Sequence, residues 1–246
     1  GESFGAYTVG MDAEVLNCVS SANIACGFHA GDPAVMKKTV AMARERGVSM
    51  GAHPGYPDLM GFGRRNMSVS ADDMHDYVLY QLGALYAFAG AAGARLVHVK
   101  PHGAMYNMAA KDMSLAAAVC RAVKEFDPSL ILLGLANSRF ADAAEEAGIR
   151  FASEVFADRG YMDDGSLVPR AQAGAIITDE NEAVSRVISM IKKGTVTSVS
   201  GREIPVRADS VCVHGDGAKA LSFTQKIRSA LIAQGIEIRP LGEIIS

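Results

Sequence analysis

The sequence is poor in several features that would each point to a class of function. Its four cysteines, Cys18, Cys26, Cys120 and Cys212, form no C-x-x-C pair and lie mostly inside apolar segments. That pattern argues against a disulfide framework or a thiolate zinc site, and fits reduced, buried thiols in a cytoplasmic protein. No basic run exceeds two residues, and 24 Lys and Arg stand against 27 Asp and Glu, a net charge of −3. So balanced a chain offers no electrostatic footprint for nucleic acid or an anionic membrane surface. No segment reads as a membrane span or a signal peptide. Gly215-Asp216-Gly217-Ala218-Lys219 lacks the glycine spacing of a phosphate loop, so there is no Walker-type nucleotide motif. No Gly-x-Ser-x-Gly elbow occurs and no cysteine adjoins a base, which disfavours covalent nucleophilic catalysis.

What is present reads as one α/β domain over residues 1–246. The 49% hydrophobic and 21% charged content is ordinary for a globular protein. A chain of this length buries roughly 70–75% of its unfolded surface. Neither a linker nor a low-complexity stretch divides it. The opening Gly1-Glu2-Ser3-Phe4-Gly5 reads as the tail of a motif, so a first strand is expected to be missing or truncated.

Strands and helices alternate. Strands are expected at Ser20–Phe28, Val48–Ala52, Leu96–Lys100, Leu130–Leu135, Phe151–Phe156, Ser210–His214 and near Ile236–Ile238, with a further short one at Ala175–Ile177. Helices are expected at Pro33–Arg46, from Ser70 onward, at Met113–Phe126, Arg139–Ala147, Asp179–Lys193 and Ala218–Ala233. Asp32 before Pro33, and Gly47 after Arg46, are good helix caps, and Ser70 with Asp73 forms a near-capping box. This order predicts a parallel sheet with crossover helices, and about seven strands fit a closed or nearly closed barrel. A doubly wound open sheet is the alternative. The strand faces favour the barrel: Asn23, His98, Lys100, Glu154, Cys212 and His214 alternate with apolar neighbours. A doubly wound parallel strand is buried, and apolar, on both faces.

Chemistry concentrates where strands hand over to loops. Gly27–Pro33 carries His29 and Asp32. Gly51–Arg65 carries His53, Arg64 and Arg65, and His98–Gly103 carries Lys100 and His102. Weaker segments hold Asp158 and Arg159, then His214 and Asp216. Barrel enzymes place active sites at this end. Four of six histidines, His29, His53, His102 and His214, share that kind of position. His98 lies deeper in its strand, and either joins them or bonds within the barrel. His75 falls early in a helix, on the surface. Asp32 is a helix cap that can also serve His29, and Asp158 with Arg159 can form a rim ion pair. Arg64 and Arg65 follow a Gly-rich loop able to cradle an anion, or form a solvated charge pair. Lys100 on a polar strand face requires a carboxylate or phosphate partner.

From the residues alone, this constellation supports hydrolysis or addition–elimination at a carbonyl. The histidines would act as base and acid, with the cations stabilising charge on oxygen. A metal is left open.

The segments Asn23–Pro33, Gly51–Arg65 and His98–Asn107 resemble the LamB/YcsF family, described as the A subunit of 5-oxoprolinase. Phe156–Tyr161, Leu167–Arg170 and Cys212–Asp216 match as well, so the resemblance covers essentially the whole chain. It implies a deformed (β/α) TIM-like barrel of the glycoside hydrolase/deacetylase type. It further implies ATP-dependent opening of 5-oxo-L-proline to L-glutamate, with ATP and Mg2+ as co-substrate and with partner subunits B and C. On this reading His29, His53, Lys100, His102, Asp158 and His214 are catalytic. Asp32, Arg64, Arg65, Arg159 and Asp216 hold substrate or phosphate. A metal-dependent amidohydrolase or deacetylase acting without ATP, and a non-catalytic binding subunit, are the competing readings.

Overall fold

The computed structural model describes residues 2–5, 12–213 and 220–245. In chain order the elements are α1 (Asp12–Val15), β1 (Ser21–Ala25), α2 (Pro33–Glu45), β2 (Ser49–His53), α3 (Ala71–Ala91) and β3 (Leu96–Val99). There follow α4 (Gly103–Ala109), α5 (Met113–Phe126), β4 (Ile131–Leu135), α6 (Arg139–Ala147), β5 (Arg150–Phe156) and α7 (Glu180–Lys193). The last are β6 (Thr195–Thr197), β7 (Glu203–Pro205), β8 (Ser210–Cys212), α8 (Ala220–Ala233) and α9 (Leu241–Ile244).

Six strands form one parallel sheet in the order β1-β2-β3-β4-β5-β8. Each pair is joined through helical connections, as parallel strands require. The sheet is curled. Lys100, just past β3, donates from Nζ to Cys212 Sγ on β8 at 3.2 Å, although β4 and β5 lie between those strands. In a flat sheet that separation is on the order of 14 Å, beyond a lysine's reach. The architecture is therefore a TIM-like α/β partial barrel, and the polar strand faces meet inside it.

Local chemistry sets the helix ends. Asp32 Oδ1 accepts from the Ala34 and Val35 amides at 2.8 and 3.0 Å, and Pro33 opens α2. At α3, Ser70 Oγ accepts from Asp73 N at 3.0 Å, while the Ser70 amide donates to the Asp73 carboxylate at 3.3 Å, a complete capping box. On the outside α3 packs against α5, and α5 against α6. The residues α5 buries are mainly small or β-branched, Ala116, Val119, Ala122 and Val123 among them.

Some expectations need correcting. Six parallel strands, not about seven, stand among the described residues. Ile236–Ile238 is not a strand: Ile236 and Ile238 instead pack against Val187, Ile227 and Leu231. Ala175–Ile177 contributes only a single bridge, Ile176 to Arg159. The antiparallel pair β6–β7 and the short helix α4 are additions to the expected elements. No helix among the described residues is long and apolar enough to cross a membrane.

Candidate active site

Three histidines converge from three consecutive strand ends. His29 follows β1 in a tight loop closed by Gly31, where any Cβ would stand 2.4 Å from the Ala25 carbonyl oxygen. His53 ends β2, and His102 precedes α4 beyond β3. The His29 and His102 rings stack at 3.7 Å with 3° between planes, and His53 meets His102 edge-on at 4.9 Å. All three are buried. Gly63 lets the covering loop approach: a Cβ there would lie 2.8 Å from His29 Cβ and 2.9 Å from His102 Cδ2.

A fourth group, Glu2, joins them from the opening Gly1–Gly5 motif tail and is not among the expected site residues. The Gly31 amide donates to the Ser3 carbonyl at 2.9 Å, and the Gly5 amide to Asp32 Oδ2 at 2.6 Å. These bonds pin the segment so that Glu2 Oε1 lies 3.4 Å from His102 Nδ1 and 3.8 Å from both His53 Nε2 and His29 Nε2. Asp32 therefore acts here as a cap and as an anchor for the Glu2 segment.

Backbone carbonyls orient two rings. His53 Nδ1 meets the Lys100 carbonyl at 2.6 Å, and His102 Nε2 meets the Phe62 carbonyl at 2.8 Å. A carbonyl only accepts, so those nitrogens carry the hydrogens. Phe62 reaches this position with φ of 53°, a left-handed conformation uncommon outside glycine. Burial, then the neighbouring His102, pushes the His53 pKa well below its ordinary value. Burial, then His29, pushes His102 down to about 3. Burial opposes charge on Glu2, but contact with His29 and the fields of His53 and His102 outweigh it and hold the carboxyl well below the usual range. At neutral pH the site presents the Glu2 carboxylate and lone pairs from the neutral His53 and His102 rings.

Deeper inside, Lys100 Nζ pairs with Glu154 Oε1 at 2.6 Å, and Tyr106 donates to Glu154 Oε2 at 2.9 Å. The ammonium also lies 5.2 Å from the Phe156 ring centroid and 5.7 Å from that of Tyr106. Burial works against its charge, but Cys212 and Glu154 outweigh it and raise the pKa above the ordinary lysine value. The partner that a lysine in this position requires is thus a carboxylate. Glu154 is readable in the sequence as a polar residue on the inner face, but nothing there places it in the site.

The remaining expected residues separate. Arg64 is exposed, lies 5.0 Å over the Phe62 ring and lines the cavity. Arg65 binds Asp58 through Nε at 2.9 Å and braces the Gly-rich loop, outside the cavity lining. Arg159 lines the cavity, but donates from Nε to the Ala175 carbonyl at 3.0 Å and from Nη2 to the Val168 carbonyl at 2.6 Å, so it chiefly holds the following loop. Asp158 is partly buried after β5 and outside the lining. His214 and Asp216 lie outside the described residues. His98 bonds Asn23 Oδ1 at 2.9 Å beneath the site, with Gly51 leaving room for its ring. His75 is partly buried between Asp76 and Glu125.

The cavity over the sheet measures about 1250 Å3. Glu2, His53, His102, Lys100, Arg159 and Cys212 are among the residues that line it. The LamB/YcsF family profile matches residues 1–246. The chain belongs to the LamB/YcsF family. Within the family, the A subunit of 5-oxoprolinase from Bacillus subtilis (strain 168) is 57% identical over 243 residues, covering 99% of this chain and 95% of that protein. A protein of the same name from Pyrococcus abyssi is 54% identical over 245 residues, covering 100% and 96%. The crystal structure of a lactam utilization protein from Thermus thermophilus matches with a TM-score of 0.91 and 45% identity, covering 97% of this chain and 95% of that one.

Proposed function

We propose that this chain is the A subunit of an ATP-dependent 5-oxoprolinase, opening the lactam of 5-oxo-L-proline to L-glutamate with partner subunits B and C. The observation carrying the reading is the convergence of Glu2, His29, His53 and His102 within 4.8 Å of one another, Glu2, His53 and His102 lining one cavity, in a chain whose relatives bear that name along their full length. Ring opening adds water oxygen to the carbonyl carbon, breaks the C–N bond and leaves the nitrogen protonated. An unstrained lactam resists this, so coupling to ATP, with Mg2+, is chemically reasonable: phosphorylation of the carbonyl oxygen makes the carbon electrophilic. With no Walker motif in this chain, nucleotide binding would use another mode or the partner subunits.

In this reading the Glu2–histidine cluster handles the water, and Arg64 meets anionic oxygen at the cavity rim. The Lys100–Glu154 pair sets the field below them. Mixing the chain with its B and C subunits should give glutamate release that requires both 5-oxoproline and ATP. A well-folded ternary mixture releasing no glutamate would refute the proposal. The donor set of the cluster also favours a second reading, metal-dependent amide hydrolysis without ATP. Glutamate release undiminished when ATP is omitted would select it.

A further inference from the structure

We propose that Glu2, His29, His53 and His102 bind one divalent transition-metal ion, with zinc the ion this donor set suits best. Four ligand atoms from four separate stretches of chain lie within 4.8 Å of one another, three of their residues buried. Three imidazole nitrogens and a carboxylate oxygen are the donors that zinc and its neighbours favour.

The orientation of the rings strengthens the case. Because the outer nitrogens of His53 and His102 face the Lys100 and Phe62 carbonyls, their inner nitrogens present lone pairs in the neutral rings. Those two inner nitrogens stand 3.0 Å apart, and Glu2 Oε1 approaches the His102 one at 3.4 Å. Three electron-rich atoms thus lie within 3.8 Å of one another. Carbonyl bonds to the outer nitrogens are the usual means of fixing the tautomer of a metal-binding histidine. His29 is fully buried, and neither of its ring nitrogens has a hydrogen-bond partner among the described residues. A buried polar group in that condition calls for a missing ligand.

Distances agree with coordination. Metal–ligand bonds of about 2.0–2.2 Å in a tetrahedron place neighbouring donors about 3.3–3.6 Å apart. The separations here of 3.0, 3.4, 3.8 and 3.8 Å are within a few tenths of an ångström of that range, and His29, stacked parallel on His102 at 3.7 Å, must in addition turn its ring to aim a nitrogen at the ion. A proton shared by His53 and His102 is the rival occupant, and it leaves His29 without a hydrogen bond, its Nε2 3.8 Å from the Glu2 carboxylate. A divalent ion held here supplies a Lewis acid able to polarise a carbonyl or lower the pKa of water.

The test reads bound metal on the full chain and needs neither substrate nor partners. Protein purified without metal-chelate chromatography should carry close to one equivalent of zinc or a neighbouring ion by mass spectrometry. After treatment with a chelator it should regain one equivalent on titration, with a raised unfolding midpoint. Glu2→Gln and His29→Ala should each weaken zinc binding more than about tenfold, whereas His75→Ala should leave it unchanged. Cobalt added to the stripped wild type should give visible absorption bands that His29→Ala lacks. A folded wild-type chain that carries no stoichiometric ion and binds zinc no tighter than about 1 mM would overturn the site. Unchanged zinc affinity in the folded Glu2→Gln/His29→Ala double variant would do the same. Either result leaves the lactam reading standing, because no turnover is measured.

Discussion

The barrel holds two polar clusters of opposite completeness. Around Lys100, a cation meets a carboxylate, a hydroxyl donates to the carboxylate's other oxygen, and two aromatic rings flank the ammonium. Around Glu2, one carboxylate faces three imidazoles, and one of those rings bonds to nothing through its nitrogens among the described residues. The first is a closed network and the second an open one. Buried polar groups that satisfy one another hold a structure in register, whereas groups left waiting mark a place for something else. The two clusters should therefore answer mutation differently.

The largest effect on stability is expected at the closed cluster. Glu154→Leu strands a buried ammonium and should cost about 3–5 kcal/mol in denaturant unfolding. Adding Lys100→Met should recover much of that, leaving about 1–3 kcal/mol for the orphaned Tyr106 hydroxyl. A double variant no more stable than the single would show that the two side chains are not coupled.

A smaller loss is expected from Gly63→Ala. Its φ of 64° strains any Cβ by about 1–2 kcal/mol, and the added methyl presses on His29 and His102. Gly148→Ala meets the same strain, with φ of 68°, but nothing within 4 Å. Gly63→Ala should unfold earlier than Gly148→Ala because its methyl also overpacks the buried rings, and only Gly63→Ala should lose more than about tenfold in turnover, a misplacement effect. Equal turnover in the two would separate the covering loop from the site.

The smallest effect belongs to His75, whose pKa is raised by its hydrogen bond to Asp76 and, less, by Glu125. A raised folded-state pKa contributes stability in full below the unfolded value, and the contribution disappears as pH rises through the folded one. His75→Gln should thus lower the unfolding midpoint at pH 5.5 and have little effect at pH 8.5, the difference staying under about 1 kcal/mol. A pH-independent difference would assign the residue to packing alone.

How legible each part is in the sequence follows from its physics. Asp32-Pro33, Ser70 with Asp73, and Asp179 are local signals, and the helices begin where those side chains cap them. The strand β4 is an apolar run buried along its whole length and is equally plain. The three-residue strands β6 and β7 are too short to show a period, and Ile236–Ile238 has a strand's alternation without a sheet edge to join. His29, His53 and His102 are readable because each sits among glycines and prolines at a strand end. Glu2 carries no such mark, since only its bonds through Ser3 and Gly5 bring it to the histidines. His98 and His102 stand four apart, which on a helix would align them. Across the end of β3 they diverge, and only His102 reaches the cluster.

Whether the open cluster works while the closed one supports is tested most directly by the His29→Ala/His102→Ala double variant. Its unfolding midpoint and its glutamate release would be measured together, in the complex with the partner subunits. The expected result is a folded protein, with circular dichroism matching the wild type, and release reduced by at least about a hundredfold. Near-normal release from that folded variant would contradict a working role for the cluster.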